Sequence, residues 1–432
     1  MNFYNLKHKE EQLNFKEATI KGQGKDKGLF FPEDISKFSN EFLQNLPNLS
    51  NEEIAFQVMK DFAGDEIPEA ELRKIVAETI AFEIPLKKVT ENISVLELFH
   101  GPTLAFKDVG ARFMSRCLGY FLKNETRKVT VLVATSGDTG GAVANGFYDV
   151  EGIEVVILYP KNRVSPVQEK QLTALGKNIH ALEVNGSFDD CQALVKQAFS
   201  DESLNEKLLL TSANSINVAR WLPQQIYYVL ALKQWLKIHS ENPVICVPSG
   251  NFGNICAGIL AHHRGLPVEH FIAACNVNDV VPEYLRTEIL QPKETVATIS
   301  NAMDVGDPSN FVRILELFDK EFNQVKNKLS GYTIDDEETL KTIKRVEKDY
   351  GYVLDPHGAV AFVALEKYLT ENDGKGFFLE TAHPVKFPDS VEQATGKSVE
   401  IPKSLEELMK QEKFTTEINP QYEELKGFLL KK

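Results

Sequence analysis

The segment Leu98–Asp108 (LFHGPTLAFKD) places Lys107 inside an apolar run that follows a Gly-Pro turn. A lysine normally keeps its ammonium group in water, and an apolar setting lowers the pKa of such a group. The neutral amine is then available as a nucleophile toward a carbonyl carbon. Two interpretations are open at this point: Lys107 is a nucleophilic amine in a site, or it is a surface lysine whose alkyl stem covers apolar neighbours.

Two glycine-containing turns each lie between a predicted strand and a predicted helix. The turn Pro248–Asn254 (PSGNFGN) has two glycines, which allow backbone N–H groups to converge on an anion at a helix N-terminus. Such a loop suits a phosphate monoester, although it matches neither the Walker A pattern nor GxGxxG. The turn Ala134–Gly141 (ATSGDTGG) offers side chains and backbone donors that suit a carboxylate group: Thr135, Ser136, Asp138 and Thr139. An ordinary strand-to-helix turn is the alternative for both.

Two further segments carry polar side chains beside predicted helices or strands. Asn214–Arg220 (NSINVAR) offers Ser215, Asn217 and Arg220, which lie within two helical turns if the segment begins a helix. Leu379–Phe387 (LETAHPVKF) offers Thr381, His383 and Lys386. Helix capping explains either segment equally well, and a surface ion pair is the alternative for the arginine.

The elements that must position these residues follow from the hydrophobic pattern. Short apolar runs predict strands at Val129–Ala134, Ile153–Tyr159, Ile179–Val184, Val244–Val247, Phe271–Ala274 and Phe377–Leu379. Helices are predicted at Asn51–Ala63, Glu69–Phe82, Ala142–Tyr148, Pro166–Leu175, Asp189–Phe199 and Ile255–His263. Strand–helix alternation predicts parallel sheets covered by helices, which is the α/β class. Ligands gather at the carboxyl ends of such strands, where both glycine turns lie.

Length and composition narrow the class of protein. A chain of 432 residues predicts two or three domains, and its net charge of −14 argues against a nucleic-acid surface. The five cysteines are odd in number and show no CxxC spacing, so we expect free thiols, no metal site and a reducing compartment. Without a signal-peptide core or a long apolar stretch, we expect a cytoplasmic protein that does not bind membranes.

Together, these segments resemble the threonine synthases. The resemblance runs from Gly28–Pro32 to Thr381–Phe387 and includes, in the family's order, FHGPTLAFKD, ATSGDTGGAV, VILYP, SPVQEKQ, DDCQALVKQAF, NSINVAR, VPSGNFGN, NVND, SNAMDVG and TAHPVKF. The type that it resembles is the long one of many bacteria and fungi, with an extra N-terminal domain. The resemblance implies fold type II of the pyridoxal-phosphate enzymes, with two parallel-sheet α/β domains like those of the tryptophan synthase β subunit.

With that fold we predict three domains. Residues 1–92 form a helix-rich N-terminal domain. Residues 93–128 and 238–432 form the large cofactor-binding domain with a C-terminal extension, and residues 129–237 form the small α/β domain. We expect a monomer or a homodimer.

The resemblance also implies an activity and roles for the residues above. The activity is conversion of O-phospho-L-homoserine and water into L-threonine and phosphate, with pyridoxal 5'-phosphate as cofactor. Lys107 matches the family's Schiff-base lysine, Thr381 matches the partner of the pyridine nitrogen, and the phosphate loop corresponds to Gly250, Asn251, Phe252, Gly253 and Asn254. The resemblance places Thr135–Thr139 at the substrate carboxylate and Ser215 and Arg220 at the substrate phosphate. Asn217 and Lys386 are further substrate-binding candidates.

One departure from the pattern and two competing functions remain. Many relatives have asparagine at the position of Asp138, where it touches the cofactor's 3-oxygen, so an aspartate needs a different protonation state or a bridging partner.

A serine/threonine dehydratase or β-replacement synthase shares the fold and cofactor, and its preference for free serine or threonine distinguishes it. A non-catalytic relative with the same fold is the other alternative, and the absorbance of a bound cofactor tests it.

Overall fold

A computed structural model describes residues 1–123 and 128–431. Residues 124–127 and 432, which fall within the predicted ranges 93–128 and 238–432, lie outside the described residues. The chain forms two units, which we call the first and the second. The first unit contains Met1, Phe31–Phe106 and Trp221–Glu400, and the second contains Asn2–Phe30, Lys107–Arg220 and Ile401–Lys432. The division into three domains stays a prediction.

The helices and strands have the following bounds. The strands are β1 (Asn2–Asn5), β2 (Gln12–Asn14), β3 (Phe30–Pro32), β4 (Leu86–Lys88), β5 (Ile93–Glu97), β6 (Val129–Ala134), β7 (Ile153–Pro160), β8 (Ile179–Val184), β9 (Leu209–Ser212), β10 (Val244–Pro248), β11 (His270–Cys275), β12 (Leu329–Thr333), β13 (Gly376–Glu380) and β14 (Thr415–Ile418). The α-helices are α1 (Phe15–Lys21), α2 (Asn40–Asn45), α3 (Asn51–Ala63), α4 (Glu69–Thr79), α5 (Lys107–Phe121), α6 (Asp138–Phe147), α7 (Pro166–Thr173), α8 (Phe188–Ser200), α9 (Glu202–Asn205), α10 (Val218–Trp221), α11 (Gln225–Trp235), α12 (Gly253–His263), α13 (Val280–Thr287), α14 (Phe311–Leu317), α15 (Phe322–Lys328), α16 (Asp336–Tyr350), α17 (Pro356–Glu371), α18 (Pro388–Thr395), α19 (Lys403–Lys410) and α20 (Tyr422–Leu429).

The first unit is built on a six-stranded sheet with the order β12-β11-β10-β13-β5-β4. Neighbouring strands are parallel, except that the edge strand β4 is antiparallel to β5. Every residue of strands β10 and β13 is buried, as expected for a parallel sheet covered on both faces. Helix α17 packs on β10, β11 and β13, and its alanines, valines and leucines supply much of this core.

The second unit is built on a five-stranded parallel sheet with the order β14-β8-β7-β6-β9. Strands β6 and β8 have the predicted bounds, and β7 extends one residue beyond its prediction. The two parallel sheets with their helices confirm the predicted α/β class. In the first ninety residues the predicted helices α3 and α4 are present, and α1, α2 and β1–β4 lie among them without having been predicted. Among the described residues, no helix is both long and apolar enough to cross a membrane.

The C-terminal segment belongs to the core of the second unit. The charged, helical pattern from about residue 391 predicts a solvated face or a peripheral packing element, and this is wrong, because the structure adds β14, which pairs in parallel with β8. Ile418, Leu425 and Leu429 are buried in one apolar cluster with residues of β6–β8 and α8. Four residues with one buried apolar side chain are too few to predict a strand, whereas the edge of β8 supplies the backbone partners that stabilise it.

We expect Leu425→Ala to destabilise the protein by about 2–5 kcal/mol, because the side chain is fully buried in α20 and its removal leaves a cavity. The matched control is Leu430→Ala, whose side chain is 42% exposed just beyond the same helix and whose loss should cost about 0.5 kcal/mol or less. Thermal unfolding of both variants measures the difference. Equal midpoints would show that the C-terminal helix contributes nothing to the core.

Candidate active site

Three loops follow the carboxyl ends of neighbouring parallel strands in the first unit. They follow β5, β13 and β10, which pair side by side in that order. In a parallel sheet these ends share one edge, so loops 98–106, 381–383 and 249–252 emerge next to one another. Lys107 is the residue after the first of these loops, Thr381 begins the second, and the predicted phosphate loop includes the third.

Backbone pairing joins the segment before Lys107 to the segment that contains Thr381. The N–H of Phe106 donates to the carbonyl of Thr381 at 2.9 Å. Ala105 and Ala382 form an antiparallel bridge beside it. The chain is therefore held against the end of β13 up to the residue that precedes the lysine.

The loop after β10 is tightly constrained. Phe252 has left-handed backbone geometry with φ of 60°, and α12 begins at the next residue. A β-carbon added to Gly250 would lie 2.6 Å from Cα of Met303, so only glycine fits there without a backbone shift. The side-chain oxygen of Asn251 accepts hydrogen bonds from the N–H and the hydroxyl of Ser309, both at 2.8 Å. These contacts fix the loop in one shape.

Asn254, the second residue of α12, has an unusual set of partners. Its Oδ1 accepts hydrogen bonds from the hydroxyls of Tyr227 and Tyr228, at 2.7 and 2.6 Å. Its Nδ2 is buried and has no protein partner among the described residues. A buried amide donor without a partner is costly, so this group suits a ligand acceptor at the helix N-terminus. The two tyrosines could not be predicted as part of the site, because they lie in a largely apolar stretch of α11, where a buried aromatic residue usually belongs to the core.

Thr381 and Lys386 are both buried in the first unit. Thr381 follows directly after β13, and Lys386 ends a short 3-10 helix at Pro384–Lys386. The ammonium group of Lys386 donates to the carbonyl of Thr103 at 2.8 Å. The lysine is thus bound to the backbone of the loop that leads to Lys107.

An acid–histidine group next to Thr381 was missed by the sequence analysis. Glu380 accepts a hydrogen bond from the N–H of Asp355 at 2.6 Å, and burial together with the charge of Asp355 raises the pKa of Glu380 well above its ordinary range. Oδ1 of Asp355 lies 2.5 Å from Nδ1 of His357, whose Nε2 accepts the N–H of Ala302. The only signal in the sequence is an aspartate before a proline, which is typical of a helix start.

In the second unit, Lys107 is the first residue of α5. Its ammonium nitrogen lies 3.9 Å from Oδ2 of Asp138, and its side chain is 17% exposed. Oδ1 of Asp138 accepts a hydrogen bond from the amide of Gln168 at 3.0 Å. Gln168 also closes a capping box with Ser165 at the start of α7. The lysine and the aspartate that the sequence analysis singled out separately are therefore neighbours, and Gln168 is an additional member of the group.

The predicted carboxylate loop forms the N-terminus of α6. This helix begins at Asp138, four residues earlier than predicted, because the hydroxyl of Thr135 accepts the N–H groups of Gly137 and Gly140 at 3.0 and 2.8 Å. The side chains of Ser136 and Thr139 are half-buried at the same turn. The structure thus brings these four predicted residues together at one helix start.

Asn217 holds its segment in place through the backbone. Its amide donates to the carbonyls of Thr19 and Ser212 at 2.9 and 3.1 Å, and its Oδ1 accepts the N–H of Ala219 at 3.0 Å. Helix α10 begins only at the next residue, so Ser215 and Asn217 precede the helix instead of lying within it. The half-buried Ser215 remains in the same short segment as Arg220.

Arg220 is a buried cation. Its side chain is 3% exposed, and its guanidinium donates to the carbonyl of Ala213. Burial lowers the pKa of Arg220 to about 10, while the carboxylate of Asp108 acts in the opposite direction, so the arginine is charged at neutral pH. A β-carbon added to Gly110 would lie 3.0 Å from Nε of Arg220, which shows how closely α5 packs on the guanidinium. A surface ion pair does not describe this residue.

Comparisons with known proteins show the family to which the chain belongs. The family described as pyridoxal-phosphate dependent enzyme matches residues 80–376, while the families described as threonine synthase N terminus and threonine synthase, C-terminal match residues 2–80 and 358–429. Threonine synthase from Haemophilus influenzae is 46% identical over 431 residues, with both chains covered completely.

Two crystal structures of threonine synthases are also similar. The enzyme from Escherichia coli superimposes with a TM-score of 0.93 at 44% identity, and both chains are covered completely. The PLP-bound enzyme from Brucella melitensis gives a TM-score of 0.93 at 34% identity, with 99% of this chain and 98% of the other covered. The predicted fold type II, the predicted cofactor and the predicted enzyme class are confirmed. This protein is a pyridoxal-phosphate-dependent enzyme, and it belongs to the threonine synthase family.

Proposed function

We propose that this enzyme converts O-phospho-L-homoserine and water into L-threonine and phosphate, the last step of threonine biosynthesis. Similarity to threonine synthases along the whole chain is the observation that carries this proposal. The buried Arg220 supports it, because a phosphorylated substrate needs a cation and the net charge of −14 supplies no favourable background.

The residues at the start of α12 fit the phosphate of pyridoxal phosphate. The buried Nδ2 of Asn254 has no protein partner among the described residues, and it lies in the first turn of α12, where backbone N–H groups favour an anion. We assign Gly250–Asn254 to the cofactor phosphate, Lys107 to the covalent link with the aldehyde carbon, and Thr381 to the pyridine nitrogen. The carboxyl edge of the first unit's sheet supports the last two assignments, because the backbone before Lys107 pairs with Thr381 and Ala382.

Side chains of the protein perform the proton transfers of this reaction. When bound, the cofactor supplies an electron sink for the charge left on the substrate after proton removal. The amine of Lys107 removes the proton at Cα of the substrate and later returns a proton. Asp138 stabilises the protonated form of that amine, and Gln168 orients the aspartate. The hydroxyl of Thr381, unlike a carboxylate, does not hold a proton on the pyridine nitrogen, which favours elimination over transamination.

The substrate's two anionic groups are assigned to different segments. Thr135, Ser136 and Thr139 with their backbone donors bind the carboxylate at the start of α6. Arg220 and Ser215 bind the leaving phosphate, and Lys386 is a second cation for it. Asn217 orients this segment, since its amide is bonded to the backbone on both sides.

Location and assembly are also part of the proposal. The five cysteines are free and buried, which supports a reducing compartment and the cytoplasm as the location. We propose a monomer or a homodimer, and light scattering on the purified protein distinguishes the two.

The direct test is incubation of the holoenzyme with O-phospho-L-homoserine. We expect equal amounts of phosphate and L-threonine, because elimination of phosphate and addition of water are coupled in one turnover. Free L-serine and L-threonine serve as alternative substrates, since a dehydratase would release ammonia from them. Ammonia release from these amino acids without threonine formation from the phosphorylated substrate would contradict the proposal.

A further inference from the structure

Two adjacent tyrosines contact one amide at the start of α12. Tyr227 and Tyr228 lie on α11 with their rings 5.1 Å apart, and both hydroxyls reach Oδ1 of Asn254. The hydroxyl of Tyr228 also lies 3.1 Å from the carbonyl oxygen of Asn254. Gly258 makes room for this arrangement, because a β-carbon there would lie 2.7 Å from the ring of Tyr228.

These contacts determine which end of the amide faces away from the tyrosines. Burial raises the pKa of both Tyr227 and Tyr228 well above the ordinary value, so both hydroxyls stay protonated and able to donate. Each hydroxyl has a second, more distant acceptor, which is Oε1 of Gln224 at 3.0 Å for Tyr227 and the carbonyl oxygen of Asn254 for Tyr228. With both protons directed to the nearer Oδ1, the NH₂ group of Asn254 points the other way. Asn254 is only 7% exposed, and its Nδ2 has no partner among the described residues. The reverse orientation would present an oxygen, which repels an anion at this helix N-terminus.

We infer that Tyr227 and Tyr228 are positioning residues that orient the amide of Asn254 so that its NH₂ group donates to the cofactor phosphate. The inference rests on the proposed assignment of Gly250–Asn254 to that phosphate. Both tyrosines act through Asn254 in this arrangement. The two hydroxyls exclude the flipped orientation of the amide. They also lower the entropic cost of ordering this side chain when the phosphate binds.

The test is equilibrium dialysis of the apoprotein against two ligands, pyridoxal phosphate and pyridoxal, which lacks the phosphate. The double variant Tyr227→Phe/Tyr228→Phe should bind pyridoxal phosphate about 10- to 100-fold more weakly, the range of one hydrogen bond to a charged group. Each single variant keeps one donor and should lose about threefold. Affinity for pyridoxal should change by about twofold or less in every variant, because pyridoxal makes no contact with the oriented amide. The phosphorus NMR shift of the bound cofactor should change in the double variant.

Asn254→Ala completes a double-mutant cycle with the tyrosine variants. It should lose as much affinity for pyridoxal phosphate as the tyrosine pair does, and adding the tyrosine changes to it should cost little more, because all three residues act through one donor. Tyr159→Phe is the matched control. It removes a buried tyrosine hydroxyl that bonds to Thr415 in the second unit, and it should bind both ligands as the wild type does.

The outcomes separate this inference from the assignment on which it rests. If Asn254→Ala binds pyridoxal phosphate as tightly as the wild type, the assigned phosphate contact is wrong and the inference falls with it. If Asn254→Ala weakens binding but the tyrosine pair does not, the contact stands and the positioning role is wrong. Equal loss of affinity for both ligands shows a packing role only and also overturns the inference. Should the double variant fail to fold, the single variants give the same comparison.

Discussion

Lys107→Ala should abolish threonine formation while the protein keeps its fold. The variant loses both the covalent link to the cofactor and the amine that moves the proton at Cα, so no residual turnover above background is expected. Assays of phosphate and threonine release measure the effect, and circular dichroism with thermal unfolding checks the fold. Borohydride reduction followed by peptide mapping should attach the cofactor to Lys107 in the wild type and to no peptide in the variant.

The control for this prediction is Lys128→Ala. Lys128 is an exposed lysine paired with Glu154 in the same unit, and its removal should leave turnover and cofactor attachment unchanged. Lys107→Arg is a second arm, because it keeps a cation near Asp138 but cannot form the covalent link. Wild-type threonine formation in the alanine variant would refute the role of Lys107.

Arg220→Ala should lower kcat/KM for O-phospho-L-homoserine some tens- to thousands-fold, the equivalent of about 2–5 kcal/mol. The physical reason is that a phosphate dianion in a closed site loses its bidentate, charge-assisted partner. The affinity for pyridoxal phosphate should stay at the wild-type value, because the phosphate of the cofactor is assigned to Gly250–Asn254. Inhibition by inorganic phosphate should weaken in parallel with substrate binding.

Arg220→Lys separates charge from shape at this position. It keeps a cation beside the buried Asp108, so folding should be preserved, but a single ammonium cannot reproduce the planar fork and only part of kcat/KM should remain. Unchanged kinetics in the alanine variant, or loss of cofactor in place of substrate affinity, would remove Arg220 from the substrate site.

The parts of this protein that the sequence predicts well are local ones. Helix α3 and strands β6 and β8 have the predicted bounds, because the apolar spacing that defines each of them is contained within a few positions of the chain. Ser50 accepts the N–H of Glu53 at the start of α3, a contact that needs no tertiary partner. Helix α6 begins four residues before its predicted start. The hydroxyl of Thr135 accepts the N–H of Gly140 and so stabilises the first turn, but this turn has no apolar pattern by which the sequence could predict it.

A residue of the candidate site can be predicted from the sequence when its type is unusual among its neighbours in the chain. Lys107 in an apolar run and the glycines after β10 stand out by type alone, whatever the fold. Gln168 and His357 do not stand out, because glutamine and histidine near helix starts usually serve as ordinary caps. Their places in the site depend on hydrogen bonds to residues distant in the chain. Gln168 donates to Asp138, and His357 accepts the N–H of Ala302.

The sequence by itself therefore predicted the α/β class, which the structure confirms, and it singled out Lys107 and the glycine loop after β10 as candidates, since each depends on residues close together in the chain. Only the tertiary structure decided which groups meet across long separations. It placed β14 beside β8, buried Arg220 under α5, and pointed Tyr227 and Tyr228 at Asn254. The physical reason is that hydrogen bonds and packing between distant segments depend on the register of strands and helices, which no local pattern encodes.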